Sequence, residues 1–191
     1  MAARRTPEER RATLLAAARD VFAQAGYPAA SVADVAALAG VSEPLVFRYF
    51  PTKAELHAAV LRSWAQDLGA RQDAAVSAVP EGAPVRDRVR ALLEVLLDDA
   101  AAGARWWLEP ASFPSVSVAV VADARAALAR TVRDLLPPSW GRHDYALESW
   151  PGFVEAAVRT WVGRGCPADD RGHVQEATLG ALQGALGDWG R

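Results

Sequence analysis

Apolar residues recur every three or four positions along most of the chain, which is the period of an amphipathic α-helix. Between residues 85 and 101, for example, Val89, Leu92, Leu93 and Leu96 fall on one face. No stretch alternates between apolar and polar residues as a half-buried β-strand does. The pattern predicts helices over residues 7–25, 32–39, 43–50, 53–76, 85–101, 116–136 and 173–189.

Two segments of the pattern are less definite. A helix that ends at Gly163 starts either at Ser149 or near Asp144, and in the second case we expect a kink at Pro151. A short segment, 105–111, precedes the helix at 116–136. With these segments included, the whole chain is predicted to be helical.

The first three helices have well-marked ends. Thr6 is a suitable N-cap before Pro7, and Gly26 is expected to end the first helix. Gly40 stands between two short helices, where a residue that tolerates left-handed backbone angles is needed. Two short helices joined through such a turn form a helix-turn-helix, whose second helix can lie in the major groove of DNA. Ordinary helical bundles contain the same turn, so the pattern alone leaves DNA contact open.

Composition allows a buried core and indicates a slight charge asymmetry. The chain has 191 residues, of which 51% are hydrophobic, and its net charge is −2. Residues 1–62 hold eight Arg or Lys against six Asp or Glu, so the helix-turn-helix end is slightly basic although the whole chain is acidic. This asymmetry supports nucleic-acid binding only weakly.

A single cysteine limits the redox chemistry of the chain. With Cys166 alone, no intrachain disulfide can form, which favours a reducing compartment. Cys166 either is inert or senses oxidants through a bridge between subunits. The first residues do not resemble a signal peptide, and no run of about twenty apolar residues occurs. We therefore expect a cytoplasmic protein without a membrane partner.

Motifs of the common enzyme classes are missing from the sequence. It contains no G-x-S-x-G, no P-loop and no Gly-rich dinucleotide fingerprint. His57, His143 and His173 lie far apart and form no cluster with metal-ligand spacing. The sequence therefore predicts a protein that is not an enzyme and has no catalytic residues, metal or cofactor.

The segment GVSEPLVFRYFPTKAEL, residues 40–56, resembles the recognition helix and following turn of the tetracycline-repressor (TetR) family. The resemblance covers about residues 6–62. It rests on Phe22, Gly26, Tyr27, Ser31, Val32, Gly40, Val41, Ser42, Tyr49, Phe50, Thr52, Lys53 and Leu56. One position departs from the family pattern, because Phe47 replaces a Tyr whose hydroxyl usually meets a phosphate. One contact with the DNA backbone is therefore expected to be missing or replaced.

The resemblance implies an organisation and a function. Residues 1–52 would form a three-helix helix-turn-helix DNA-binding domain, which a bridging helix joins to a helical effector-binding and dimerisation domain at 53–191. The function would be that of a ligand-responsive regulator, most simply a repressor, which binds a palindromic double-stranded operator as a homodimer and is released by a small-molecule effector. The alternative is a helical dimer that binds a small molecule or a protein without significant DNA binding.

The DNA-binding residues are predicted partly by chemistry and partly by the resemblance. Tyr49 and Lys53 match phosphate-contacting positions of the family, and Ser42 offers a hydroxyl at a helix start. Arg48 is the candidate for reading a base edge, unless it is only a solvated Arg. The full predicted set is Arg4, Arg5, Ser31, Ser42, Glu43, Pro44, Leu45, Phe47, Arg48, Tyr49 and Lys53. Arg4 and Arg5 belong to it as an arm on DNA, or else form a frayed terminus.

Aromatic residues are the candidates for an effector pocket, which the resemblance implies. Pockets are mostly apolar with few polar groups, although tryptophans more often simply fill a core. The predicted ligand-binding residues are Trp106, Trp107, Phe113, Trp140 and Trp150.

Small residues along the last helix indicate close approach of another helix. Each Gly in the middle of a helix costs about 1 kcal/mol relative to Ala, so Gly180 and Gly184 need a compensating contact. The last two helices could supply a four-helix seam about a two-fold axis. The alternative is an internal core helix. The predicted dimer residues are Phe153, Ala157, Trp161, Ala177, Gly180, Ala181, Gly184 and Ala185.

Overall fold

α-Helices and short connections make up residues 6–103, 110–136 and 140–187, which are the residues that this computed structural model describes. These residues contain eight α-helices and one 3-10 turn, Pro110–Ser112, so the predicted all-α fold is confirmed. The helices are α1 Pro7–Ala29, α2 Val32–Ala39, α3 Glu43–Tyr49, α4 Lys53–Ala78, α5 Val85–Ala102, α6 Ser115–Leu135, α7 Gly141–Gly163 and α8 Asp170–Leu186.

The helices divide into two compact units. The first unit comprises Met1–Trp64 and Glu109–Val121, and the second comprises Ala65–Leu108 and Ala122–Arg191. Consequently α4 and α6 each begin in the first unit and end in the second. The boundary predicted between residues 52 and 53 separates a DNA-binding function from an effector-binding and dimerisation function. That functional boundary stays a prediction.

Reciprocal capping interactions fix the starts of two helices in the first unit, α1 and α4. At α1, the Glu9 amide donates to Thr6 Oγ1 over 3.2 Å and the Thr6 amide donates to Glu9 Oε2 over 2.8 Å. The same reciprocal pair joins Thr52 and Glu55 at α4, with both bonds at 3.1 Å. These boxes satisfy amide groups that have no partner within the helix.

The first helix differs from its prediction at its end. Helical geometry is assigned as far as Ala29, but Gly26 has φ 74° and ψ 164°, so the regular helix is broken there as expected. A short turn containing Pro28 continues from Gly26 to Ala29. The predicted apolar face is the buried one, since Leu14, Ala18 and Phe22 are buried.

In the second unit, α5, α7 and α8 pack around a buried core. The predicted stripe of α5 is confirmed, because Val89, Leu92, Leu93, Leu96 and Leu97 are all buried. Ion pairs join α5 to α8 at the edge of this core, where Glu176 accepts from both Arg86 and Arg90.

The seventh helix is longer than either prediction for it. It begins at Gly141 and continues through Pro151 to Gly163, so the start at Ser149 is wrong and the start near Asp144 is closer. Trp140 precedes it as an N-cap without a side-chain hydrogen bond, and such a cap leaves no signal in the sequence. Burial of His143 and Ala146 extends the packed face of α7 to its first turn. The last helix begins and ends three residues before its predicted limits of 173 and 189. Trp189 lies outside the described residues.

Candidate nucleic-acid interface

Two short helices and a tight turn form the helix-turn-helix. Ser31 caps α2 by accepting the Asp34 amide over 3.0 Å, and its hydroxyl donates to the Asp34 carboxylate over 2.6 Å. Gly40 ends α2 with φ 66° and ψ 39°, a left-handed conformation that glycine adopts without strain. The Val41 amide donates to the Ala36 carbonyl over 2.9 Å, which closes the turn before α3.

One side of α3 is anchored in the first unit and the other is exposed. Val46 and Phe50 are buried, and the Arg11 guanidinium covers the Phe50 ring at 5.1 Å from its centroid. The exposed side chains are Glu43, Pro44, Phe47 and Arg48, which we call the outer face. At about 100° per residue, these four positions span only about 140° of the helix surface.

The outer face contains a large apolar side chain in addition to charged ones. Phe47, the departure from the family pattern, is 39% exposed. Arg48 is exposed, with its guanidinium carbon 5.7 Å from the centroid of the Tyr49 ring. Leu45 and Tyr49 are half-buried and lie outside the outer face. The outer face therefore offers both apolar contact and hydrogen bonding, the two means by which base edges are read.

Two predicted phosphate ligands differ in how far the fold already engages them. Ser42 precedes α3 as N-cap, but its hydroxyl makes no capping hydrogen bond. Lys53 donates to the Pro28 carbonyl over 3.2 Å and lies 4.6 Å from the centroid of the Tyr27 ring. Burial lowers the pKa of Lys53. Since an ammonium group has three donors, Lys53 can hold α4 against the end of α1 and still donate to another acceptor.

The remaining predicted DNA contacts are not residues of α3. Ser31 is half-buried, and its hydroxyl is engaged in the α2 cap. Arg4 and Arg5 lie outside the described residues.

One buried histidine of the first unit, with the side chains that surround it, was not predicted from the sequence. His57 on α4 is 1% exposed, and its Nδ1 lies 2.7 Å from Oγ of Ser117 on α6. The rings of Phe22 and Phe113 meet the imidazole edge to face, with centroids at 4.8 and 4.7 Å. Burial, with a smaller contribution from the Lys53 charge, lowers the pKa of His57 to about 4. Because His57 and Ser117 are 60 residues apart, no local pattern could have paired them.

The predicted ligand-binding aromatics have different surroundings. Phe113 is half-buried against His57, whereas Trp140 is 62% exposed and stacks on the His143 ring. Trp150 is 3% exposed, and its indole nitrogen donates to the Thr178 carbonyl over 2.8 Å. Trp106 and Trp107 lie outside the described residues. The role of all five aromatic residues in binding a ligand stays a prediction.

The predicted dimer residues form a surface of small side chains with one large one. Ala177, Gly180, Gly184 and Ala185 on α8 are exposed, and Ala181 is half-buried. A methyl group built on Gly180 or Gly184 would meet no atom of the described chain within 4 Å. On α7, Phe153 is 46% exposed and Ala157 is half-buried. Trp161 is buried, and its indole nitrogen donates to the Pro167 carbonyl over 3.0 Å.

A groove runs between α7 and α8 beside this surface. Its volume is about 290 Å³, and Ala157, Trp161, Val174 and Ala177 are among the residues that line it. The exposed small residues and the groove together give the second unit an apolar face.

Other kinds of site receive no support from the described residues. No group of three or more potential metal ligands occurs in them, and none of their helices is long and apolar enough to cross a membrane. Burial raises the pKa of the Cys166 thiol, which lowers the share of the reactive thiolate.

The fold and the outer face of α3 define a helix-turn-helix protein. The family model for bacterial regulatory proteins of the tetR family matches residues 14–60, which include α2 and α3. A crystal structure of a tetR-family transcriptional regulator from Streptomyces coelicolor superimposes with a TM-score of 0.77, covering 96% of this chain and 91% of that one at 24% identity. Residues 14–60 therefore form a helix-turn-helix domain of the TetR family of transcriptional regulators, and the chain shares the fold of a solved regulator of that family. That family is non-enzymatic, which confirms the prediction that the chain is not an enzyme.

Sequence similarity to two curated relatives covers less than half of the chain. The chain is 40% identical over 93 residues to the HTH-type transcriptional activator FasR of Mycolicibacterium smegmatis, which is 48% of this chain and 40% of FasR. It is 50% identical over 54 residues to the HTH-type transcriptional repressor Rv3405c of Mycobacterium tuberculosis, or 28% of this chain and 29% of that protein. The matched segments therefore span less than half the length of these relatives.

Proposed function

We propose that the protein binds a palindromic DNA operator as a homodimer and that a small-molecule effector releases it. The observation that carries the proposal is the outer face of α3, which exposes apolar and charged side chains on a helix anchored by Val46 and Phe50. The second helix of a helix-turn-helix reads base edges from the major groove. An anchored helix with an exposed mixed face suits that role.

Within the proposed complex, the side chains divide into positioning and reading groups. Ser42, Tyr49 and Lys53 contact phosphates, which sets the register of the protein on the duplex. Arg48 grips a guanine edge, and Pro44, Leu45 and Phe47 meet thymine methyl groups. Arg4 and Arg5 add contacts with the backbone or the minor groove, and Ser31 lies beside a phosphate at the start of α2.

The homodimer forms through the apolar face of α7 and α8. Two glycines in the middle of α8 lower its intrinsic stability, yet no part of the described chain approaches them. A second copy supplies the missing contact, since a two-fold interface brings the same patch together from both subunits. Phe153 of one subunit enters the groove beside Ala157 of the other. The dimer then presents two outer faces about one DNA turn apart.

The effector is an aromatic or cationic lipophilic molecule bound by the predicted domain at residues 53–191, with Trp106, Trp107, Phe113, Trp140 and Trp150 as the candidate contacts. Release requires that the effector bind the DNA-free conformation more tightly. An effector should therefore raise the melting temperature of the free protein and lower its affinity for DNA. A thermal screen of such molecules, followed by DNA binding with each hit, tests this part.

We assign repression as the output, in the cytoplasm. Of the two relatives compared above, FasR is named an activator and Rv3405c a repressor. A reporter gene placed behind the operator measures the sign of the output directly.

Selection of genomic fragments by the purified full-length protein tests the central proposal. We expect a small set of fragments that share an inverted repeat, with the two half-sites about ten base pairs apart from centre to centre. Bound fragments without a common motif, with no preference over scrambled duplexes, would favour the alternative of a helical dimer that does not recognise DNA.

A further inference from the structure

The first turn of α3 carries a carboxylate that makes no capping hydrogen bond. In three helices of the first unit, an acidic side chain in the first turn engages the N-cap residue: Glu9 at α1, Asp34 at α2 and Glu55 at α4. Glu43 instead occupies the first position of α3, and Ser42 makes no side-chain capping bond. Among the described residues, no hydrogen bond or ion pair involves Glu43, which is exposed.

This carboxylate lies on the outer face, where a negative charge opposes DNA binding. Contacts between basic side chains and phosphates supply most of the affinity for DNA of any sequence. A carboxylate facing the duplex therefore lowers affinity unless it accepts a hydrogen bond there. The cytosine N4 amino group is the major-groove donor that Glu accepts from. At adenine, the amino group lies beside the N7 acceptor, which repels a carboxylate.

We propose that Glu43 is a specificity-determining residue that selects a cytosine in each half-site. This inference rests on the proposed function. Arg48, the other charged side chain of the outer face, follows five residues later, or about 7.5 Å along the helix axis. Base pairs are spaced by about 3.4 Å, so Glu43 and Arg48 reach different base pairs. Glu43 also weakens binding to sequences that lack the cytosine, which raises the selectivity of the protein.

Selection from a randomised duplex library, with the full-length chain at one salt concentration, tests this role. Glu43→Ala should abolish the preference for cytosine at one position per half-site, with a loss of discrimination of about tenfold, and should strengthen binding to scrambled duplexes. Glu43→Gln should change the preference at that position from cytosine to adenine, because an amide pairs with adenine N6 and N7. Asp20→Asn, which removes an exposed acid from α1, is the charge-matched control and should leave every base preference unchanged.

The outcomes separate this role from a structural one. If Glu43 only favours the start of α3, both Glu43 variants will lower the melting temperature and weaken all sequences alike, and the inference is overturned. It is also overturned if the wild-type motif persists unchanged in Glu43→Ala. A wild-type protein that selects no motif would overturn the proposed function together with this inference, whereas an altered motif in Glu43→Gln supports both.

Discussion

His57 shows how one buried side chain can make stability depend on pH. The native imidazole is buried between Phe22, Phe113 and Ser117, and its pKa is about 4. An unfolded chain would protonate the same group near its ordinary pKa of 6.5. Between these values the unfolded state binds the extra proton, so the free energy of unfolding falls as pH decreases through this window.

We therefore expect acid to destabilise the wild-type protein more than a His57→Gln variant. From pH 7 to pH 4, the free energy of unfolding should fall by roughly 3 kcal/mol more in the wild type, since one pKa unit corresponds to about 1.4 kcal/mol. Denaturant titrations at several pH values measure this difference. His173→Gln, at an exposed position, is the control that should retain the wild-type slope. Equal slopes in all three proteins would show that His57 is not held neutral by burial.

Arg48 and Lys53 should differ in how their loss affects DNA binding. Arg48→Ala removes a proposed base contact, so it should weaken the selected sequence by about 1 to 3 kcal/mol and relax the preference at one position. Lys53→Ala should weaken all sequences alike and make the salt dependence shallower by about one unit of slope. Titration of the selected and scrambled duplexes at several salt concentrations distinguishes the two.

The interactions of Lys53 make a stability control necessary. Loss of its bond to the Pro28 carbonyl and its contact with Tyr27 could loosen the start of α4. Lys53→Arg, which retains the charge, should restore most of the affinity if the phosphate contact matters. Unchanged operator binding by both alanine variants would contradict the assignment of these residues.

At the level of helices, local signals in the sequence located most ends correctly. Thr6, Ser31 and Gly40 mark helix ends through hydrogen bonds or backbone angles that depend on near neighbours. The start of α7 was misplaced because Trp140 makes no side-chain cap and burial of the first turn depends on the rest of the second unit. Ends set by local chemistry can be predicted, whereas ends set by packing need the tertiary structure.

The small residues of α8 give a prediction about assembly. Gly184→Leu should convert the dimer to a monomer and stabilise the isolated chain slightly, because Leu favours helix and the site is open in one subunit. Gln183→Leu is the control, since position 183 is exposed but lies about 130° from the centre of the small-residue stripe. Analytical ultracentrifugation reports the subunit number. A Gly184→Leu protein that stays dimeric would place the interface elsewhere.

Across the whole molecule, the helix-turn-helix could be predicted from the sequence, whereas no local pattern marks an effector site. The helix-turn-helix depends on a few residues within about thirty positions, and the outer face of α3 follows from helical periodicity. A pocket is assembled from distant segments, so Phe113, Trp140 and Trp150 could be proposed by residue type alone. They have three different environments, and the His57–Ser117 contact was not predicted at all.

The central claim is that a dimer of this protein binds a specific DNA sequence. The most direct test is a titration of the purified protein with DNA from the region upstream of its own gene, against a scrambled duplex and at several salt concentrations. We expect one dimer to bind the upstream duplex at least about a thousandfold more tightly than the scrambled one, with an affinity that falls steeply as salt rises. Sequence-selective DNA binding would be contradicted if the protein bound this duplex and every fragment recovered by genomic selection weakly and equally.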